Sequence, residues 1–221
     1  MSPINKLSQL DLNETYSYAD YLTWQFEETV ELIKGKIQIM SPAPNVRHQS
    51  IVTELGGHLY SFFRKKPCKL FYAPLDVRLY NKRKSILTNK EIFTVVQPDL
   101  CVICNTKTNF ILCKTGQPDL CVICNPEQLD VQGCNGAPDW IIEILSAGNS
   151  KRETQEKFTL YQESGVKEYW IVYPYEQSVH QFVLNEQTEK YELITMYSGE
   201  DKASPALFPD LLIDLAEVFA E

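Results

Sequence analysis

The sequence predicts an α/β fold: a mixed β-sheet flanked by helices, in a single domain spanning residues 1–221. Three observations predict it. Apolar extended runs at 139–145 and 168–173 enclose a helical stretch at 151–163, a strand–helix–strand crossover that pairs strands in parallel. Hairpin-like segments stand towards both ends, at 30–40 and at 178–184 with 190–197, and these add antiparallel pairs. Hydrophobic residues make up 44% of the chain and aromatics 11%, enough to fill a sizeable core.

Taken in order, residues 17–26 read as a helix. Val30–Met40 reads as a hairpin turning near Gly35, and Ser41-Pro42-Ala43-Pro44-Asn45 as a stiff loop. His48, Val52, Leu55, Leu59 and Phe62 recur at helical spacing and form one apolar stripe. Strands are predicted at 70–80, 92–104, 139–145, 168–173, 178–184 and 190–197. Ser150 and Glu153 have the spacing of a capping box for the helix at 151–163, whose buried side carries Phe158, Leu160 and Tyr161. A last amphipathic stretch, 211–219, is expected to pack back on the body.

A net charge of −8 argues against a strong non-specific nucleic-acid binder, which neutralises many phosphates with Lys and Arg. Residues 64–90 are a local exception. Arg64, Lys65, Lys66, Lys69, Arg78, Lys82, Arg83, Lys84 and Lys90 stand there with Asp76, and they read either as a solvated hairpin rim or as a surface that meets a phosphate backbone. No secretory leader is expected from the polar opening residues, and no apolar run approaches the ~18 residues of a membrane span. Seven cysteines leave one unpaired in any disulfide scheme, which fits a reducing, cytoplasmic setting.

Residues 97–105, Gln-Pro-Asp-Leu-Cys-Val-Ile-Cys-Asn, return unchanged at 117–125, a local duplication and not a solenoid. It creates Cys101, Cys104, Cys121 and Cys124, two pairs with the spacing of a zinc site. In an extended run the two cysteines of a pair are three apart and face opposite sides, and no Gly or Pro between them makes a tight turn. Buried thiols are therefore the stronger reading.

Two extended stretches carry carboxylates that one metal ion can share. Asp99, or its copy Asp119, follows a Gln-Pro step, and Glu143 lies inside Trp140-Ile141-Ile142-Glu143-Ile144-Leu145. A strand puts Asp139, Ile141, Glu143 and Leu145 on one face, so Glu143 is costly to bury without a cation or a salt bridge to satisfy it. Lys157 and Tyr161 stand four apart on the following helix, one above the other, so the ammonium can reach the strand edge; a surface pair with Glu153 is the simpler alternative. An Asp, a Glu and a Lys so grouped can hold magnesium and activate water against a phosphodiester.

The chain also resembles a known family. The residues that carry the likeness are Glu31–Pro44 with His48 following, Val77-Arg78-Leu79, the two Gln-Pro-Asp-Leu copies, Gly136–Ser146, Lys157-Phe158-Thr159-Leu160-Tyr161 and Gly165–Val172. In order and coverage, from about residue 17 to 219, they resemble the Uma2 family of restriction-endonuclease-like proteins. The resemblance implies a PD-(D/E)XK-type fold and, by analogy, metal-dependent hydrolysis of DNA; the alternative is a catalytically inactive nuclease-fold domain that binds nucleic acid or protein. It places metal carboxylates on Asp99 or Asp119 and on Glu143, with Mg2+ as the expected ion. The motif lysine falls on Leu145, and Lys157 is the expected substitute. Glu31 is an additional candidate carboxylate, and His48 either serves the site or packs its helix. Copy one keeps the β-branched lead Phe93-Thr94-Val95-Val96, which favours Asp99, whereas copy two keeps the family-like exit Pro126–Asp130. Cleavage of both DNA strands implies two sites and hence a homodimer.

Overall fold

The computed structural model describes residues 4–40, 45–66, 68–80, 88–104, 129–146 and 151–220. The side chains of Cys104 and of residues 151–153 fall outside that description, as do Ser150 and the second repeat copy. The architecture is mixed α/β, with helices packed on mixed sheets.

The helix expected over 17–26 is a single turn, α1 (Tyr18–Tyr21). A capping box starts it: the Asp20 carboxylate accepts from Ser17 N while Ser17 Oγ accepts from Asp20 N. The chain then becomes extended, because Trp24 forms a bridge to Ile4 and stacks with Phe26. The hairpin forms as expected, from β1 (Val30–Ile33) and β2 (Lys36–Ile39). Its two turn residues, Lys34 and Gly35, both have positive φ (52° and 81°), the geometry of a tight two-residue β-turn.

Helix α2 (Val46–Phe63) is capped by the Asn45 side chain, which accepts from His48 N. It buries His48, Ile51, Leu55, Gly56, Leu59 and Phe63, so the buried stripe is turned slightly from the predicted one; Val52 and Phe62 lie at its margin.

Two predicted strands are each divided in two. Residues 70–80 become β3 (Cys68–Tyr72) and β4 (Val77–Arg78), and residues 92–104 become β5 (Val95–Val96) and β6 (Leu100–Cys104). Pro74 and Pro98 stand in the gaps, where a missing N–H interrupts a ladder. At each gap the chain passes from one sheet to another. One sheet takes β3 and β6 alongside β9 (Trp140–Ile144), β10 (Glu168–Tyr173), β11 (Ser178–Asn185) and β12 (Lys190–Ser198), in the order β12-β11-β10-β9-β6-β3. The other takes β4 and β5 with the first hairpin and with β7 (Leu129–Asp130) and β8 (Gly133–Asn135), in the order β2-β1-β5-β4-β8-β7. Strands β7 and β8 were not foreseen; their few residues carry no periodicity to read.

The crossover is present. Helix α3 (Lys151–Ser164) links β9 to β10, which pair in parallel, while β9–β6, β10–β11 and β11–β12 are antiparallel. Strand β9 is buried along its whole length. Trp140 packs edge-on with Trp170, and Phe63 with Phe208, while Trp140 meets Phe208 at a tilt in the same core. The C-terminal stretch packs back as expected, as β14 (Ile213–Asp214), paired with β13 (Lys202–Ala203), and α4 (Leu215–Val218), with Glu217 reaching His58 at 3.2 Å.

The charged stretch at 64–90 divides. Arg64, Lys65, Lys66, Lys69 and Lys90 are exposed, and the first three cluster at the C-terminal end of α2, where cations suit the helix dipole. Arg78, which the sequence grouped with them, is fully buried. Its guanidinium donates to both oxygens of Asp130 at 2.8 and 2.7 Å and to the carbonyls of Gly133 and Cys134. Lys82, Arg83 and Lys84 lie outside the described residues. Cys101 and Cys134 are buried free thiols, whereas Cys68 is disulfide-bonded, a pairing the composition did not suggest. Among the described residues no helix is long and apolar enough to cross a membrane.

Candidate active site

Copy one of the repeat builds the inner strand β6, between β9 and β3, so Asp99 enters the fold at the start of that strand, directly after Pro98. Both of its carboxylate oxygens are engaged. Oδ2 accepts the backbone N–H of Ile144 at 2.7 Å, tying Asp99 to the residue after Glu143, and Oδ1 lies 3.3 Å from His48 Nε2. His48 therefore belongs to the site as well as packing its helix. Burial alone would lower its pKa, but the hydrogen bond and the charge of Asp99 raise it above the ordinary value. Asp119 lies outside the described residues.

Glu143 is 8% exposed, and the face that alternation gives it is the one α3 covers. Lys157 Nζ donates to both of its oxygens at 3.3 Å, and Tyr161 Oη donates to Oε1 at 2.5 Å. The four-residue spacing on α3 brings both donors to one carboxylate. Lys157 is buried, so the surface pair with Glu153 does not describe it; the ammonium also lies 3.3 Å from Glu31 Oε1. Glu31 in β1 is equally buried and accepts the backbone N–H of Gln97 at 2.8 Å. The roles of Tyr161 and of the Gln97 amide were not read from the sequence. Helical spacing sets Tyr161 beside Lys157 but names no partner for its hydroxyl, and a backbone donor leaves no sequence signal.

Two carboxylates, of Glu143 and Glu31, thus hold one buried ammonium at 3.3 Å, and the charge of Asp99 acts on it from further off. Burial drives the Glu143 pKa up to about 7; Lys157 and the Tyr161 hydrogen bond pull it down, while Asp99 and Glu31 push it up. Burial acts to discharge Lys157, but Glu143, Glu31 and Asp99 outweigh it, so the ammonium holds its proton more firmly than usual. Negative charge exceeds positive here, and the chemistry of the donor set suits a further cation. Among the described residues no three His, Cys, Asp or Glu side chains are arranged to hold one ion. An ion bound here would have Asp99 and Glu143 as side-chain ligands and would need water or phosphate to complete its shell. Leu145, at the position of the motif lysine, packs against the hydrophobic core.

The Uma2 family profile, described as "Putative restriction endonuclease", matches residues 18–115 and 114–216. The chain belongs to the Uma2 family. The two matches meet at residues 114–115, between the two Gln-Pro-Asp-Leu copies. A solved structure titled a "putative nuclease belonging to DUF820", from Anabaena variabilis ATCC 29413, aligns with a TM-score of 0.63 over 93% of this chain and 98% of that one, at 19% identity. At that identity the likeness establishes that the two chains share a fold. No curated protein matches the sequence.

Proposed function

We propose that this Uma2 chain is a Mg2+-dependent endonuclease that hydrolyses DNA phosphodiester bonds, with Asp99 and Glu143 as metal ligands and Lys157 as the catalytic cation. The observation that carries this reading is the buried ammonium of Lys157, 3.3 Å from both Glu143 oxygens and from Glu31, on the helix beside a strand whose own motif position is Leu145. A divalent ion held by the two carboxylates would supply Lewis-acid chemistry to the phosphate and acidify water. Asp99 is held for that task by the Ile144 amide and by His48, which leaves it little rotational freedom. Tyr161 orients Glu143 in the same way. Lys157 stays protonated and offers positive charge to the phosphate as negative charge develops on it, the role a hydrocarbon at 145 cannot fill.

The test measures Mg2+ or Mn2+ binding and nicking of supercoiled DNA by the wild type and by Glu143→Gln and Lys157→Ala. Glu143→Gln is expected to lose both. Lys157→Ala is expected to keep binding the ion while its cleavage rate falls by about 100-fold or more, since its part is in the transition state. Leu145 and the net charge of −8 favour a second reading, an inactive nuclease-fold domain that binds nucleic acid or protein. Identical metal titrations for wild type and Glu143→Gln, both folded, would decide for that reading.

A further inference from the structure

Glu31 belongs to the sheet formed by β2, β1, β5, β4, β8 and β7, yet its carboxylate reaches beyond that sheet to the link into β6 and to α3. Oε1 accepts from Gln97 N at 2.8 Å and lies 3.3 Å from Lys157 Nζ. Gln97 sits where β5 has ended at Val96 and where Pro98 has no N–H to continue the ladder. The carboxylate therefore stands in for a missing strand partner, and in doing so it fixes the turn that delivers Asp99 into β6. Both contacts fall on Oε1, so one oxygen ties the carboxylate at once to a backbone N–H and to a buried ammonium. No third acidic side chain among the described residues is arranged with two others to hold a metal.

Resting on the nuclease reading above, we infer that Glu31 is a positioning residue: it anchors the Lys157 ammonium and the Gln97–Pro98–Asp99 turn to each other and does not ligate a second ion. Shared between Glu31 and Glu143, the ammonium is kept from collapsing onto Glu143 alone and remains available to phosphate.

Equilibrium unfolding in denaturant of the metal-free wild type, Glu31→Gln, Lys157→Met and the double variant tests the anchor itself. Gln keeps an acceptor for the Gln97 amide, and Met keeps the aliphatic volume of Lys157. Each single change should raise the unfolding constant, and the double variant should fall short of the product of the two by about fivefold or more. A double variant equal to that product overturns the anchor. Calorimetric titration with Mg2+ and with Ca2+, without DNA, should return the same stoichiometry for wild type and Glu31→Gln. Loss of one ion in Glu31→Gln makes Glu31 a ligand and overturns the inference. A wild type that binds neither ion overturns the nuclease reading instead, and the unfolding cycle still judges the anchor. On supercoiled DNA, Glu31→Gln should lower kcat by about tenfold with KM within about threefold, because only the placement of the ammonium in the transition state has changed. A rise in KM at unchanged kcat contradicts it.

Discussion

Asp99 and Asp119 share identical flanking residues from Gln to Asn, so nothing in their immediate chemistry separates them. Position does. Asp99 receives the Ile144 amide and faces His48, and Asp99→Asn is accordingly expected to reduce cleavage by about 100-fold or more while Asp119→Asn leaves most of it. Nicking assays on both variants check this, and the reverse ranking would hand the role to the second copy. Glu143 carries a second residue-level prediction. Its folded pKa of about 7 lies above the ordinary 4.5, so between those values the metal-free folded state binds more protons than the unfolded one. Stability from this group is present below 4.5 and declines as pH rises through 7. Denaturation midpoints of the wild type should show that decline, and Glu143→Gln should lack it. Because an ion needs the ionised carboxylate, Mg2+ affinity should rise from pH 6 to 8 with proton release, which calorimetry in two buffers of different ionisation enthalpy measures.

At the scale of elements, short hairpin β7–β8 shows how tightly the second sheet is assembled. Gly133 has a φ of 125° and faces the backbone carbonyl of Asp76, which accepts from Cys134 N at 2.9 Å. A Cβ at 133 would collide with that carbonyl oxygen, a backbone atom that cannot swing aside. Gly133→Ala is expected to cost about 1–3 kcal/mol from strain and displacement of the β4–β8 ladder. A denaturant midpoint within error of the wild type would contradict it. Helix α3 shows the opposite case, an element whose contribution to the site could be seen in advance. Four-residue spacing placed Lys157 and Tyr161 together, and strand alternation placed Glu143 on the face they reach.

For the whole molecule, the exposed cations at the end of α2 lie about 25 Å along the helix axis from His48, at 1.5 Å per residue. They are therefore not part of the catalytic cluster. If the chain cuts both strands of a duplex, two copies of that cluster are required, and a twofold pair is the commonest way to supply them. Light scattering at micromolar concentration should give about twice the 25.5 kDa of one chain; a constant single-chain mass across salt conditions rejects the dimer.

The sequence by itself determined what depends on near neighbours. The turn near Gly35, an apolar helical stripe in α2, the extent of α3 and the strand–helix–strand crossover are legible in spacing and local composition, and the Uma2 likeness in the order of its motifs. Only the tertiary structure decided that residues 70–80 and 92–104 each break between two sheets, that Arg78 lies inside with Asp130, and that β6 is built from the first copy. Meeting points of Glu31, Gln97, Asp99, Glu143 and Lys157 belong to the same class. Glu31, the Gln97–Asp99 step and β9 come from separate parts of the chain, and no periodicity brings Glu31 or Asp99 to Glu143. They meet because Pro98 turns the chain out of one ladder into another, so that a carboxylate from each sheet and an ammonium from the crossover helix enclose the same buried space.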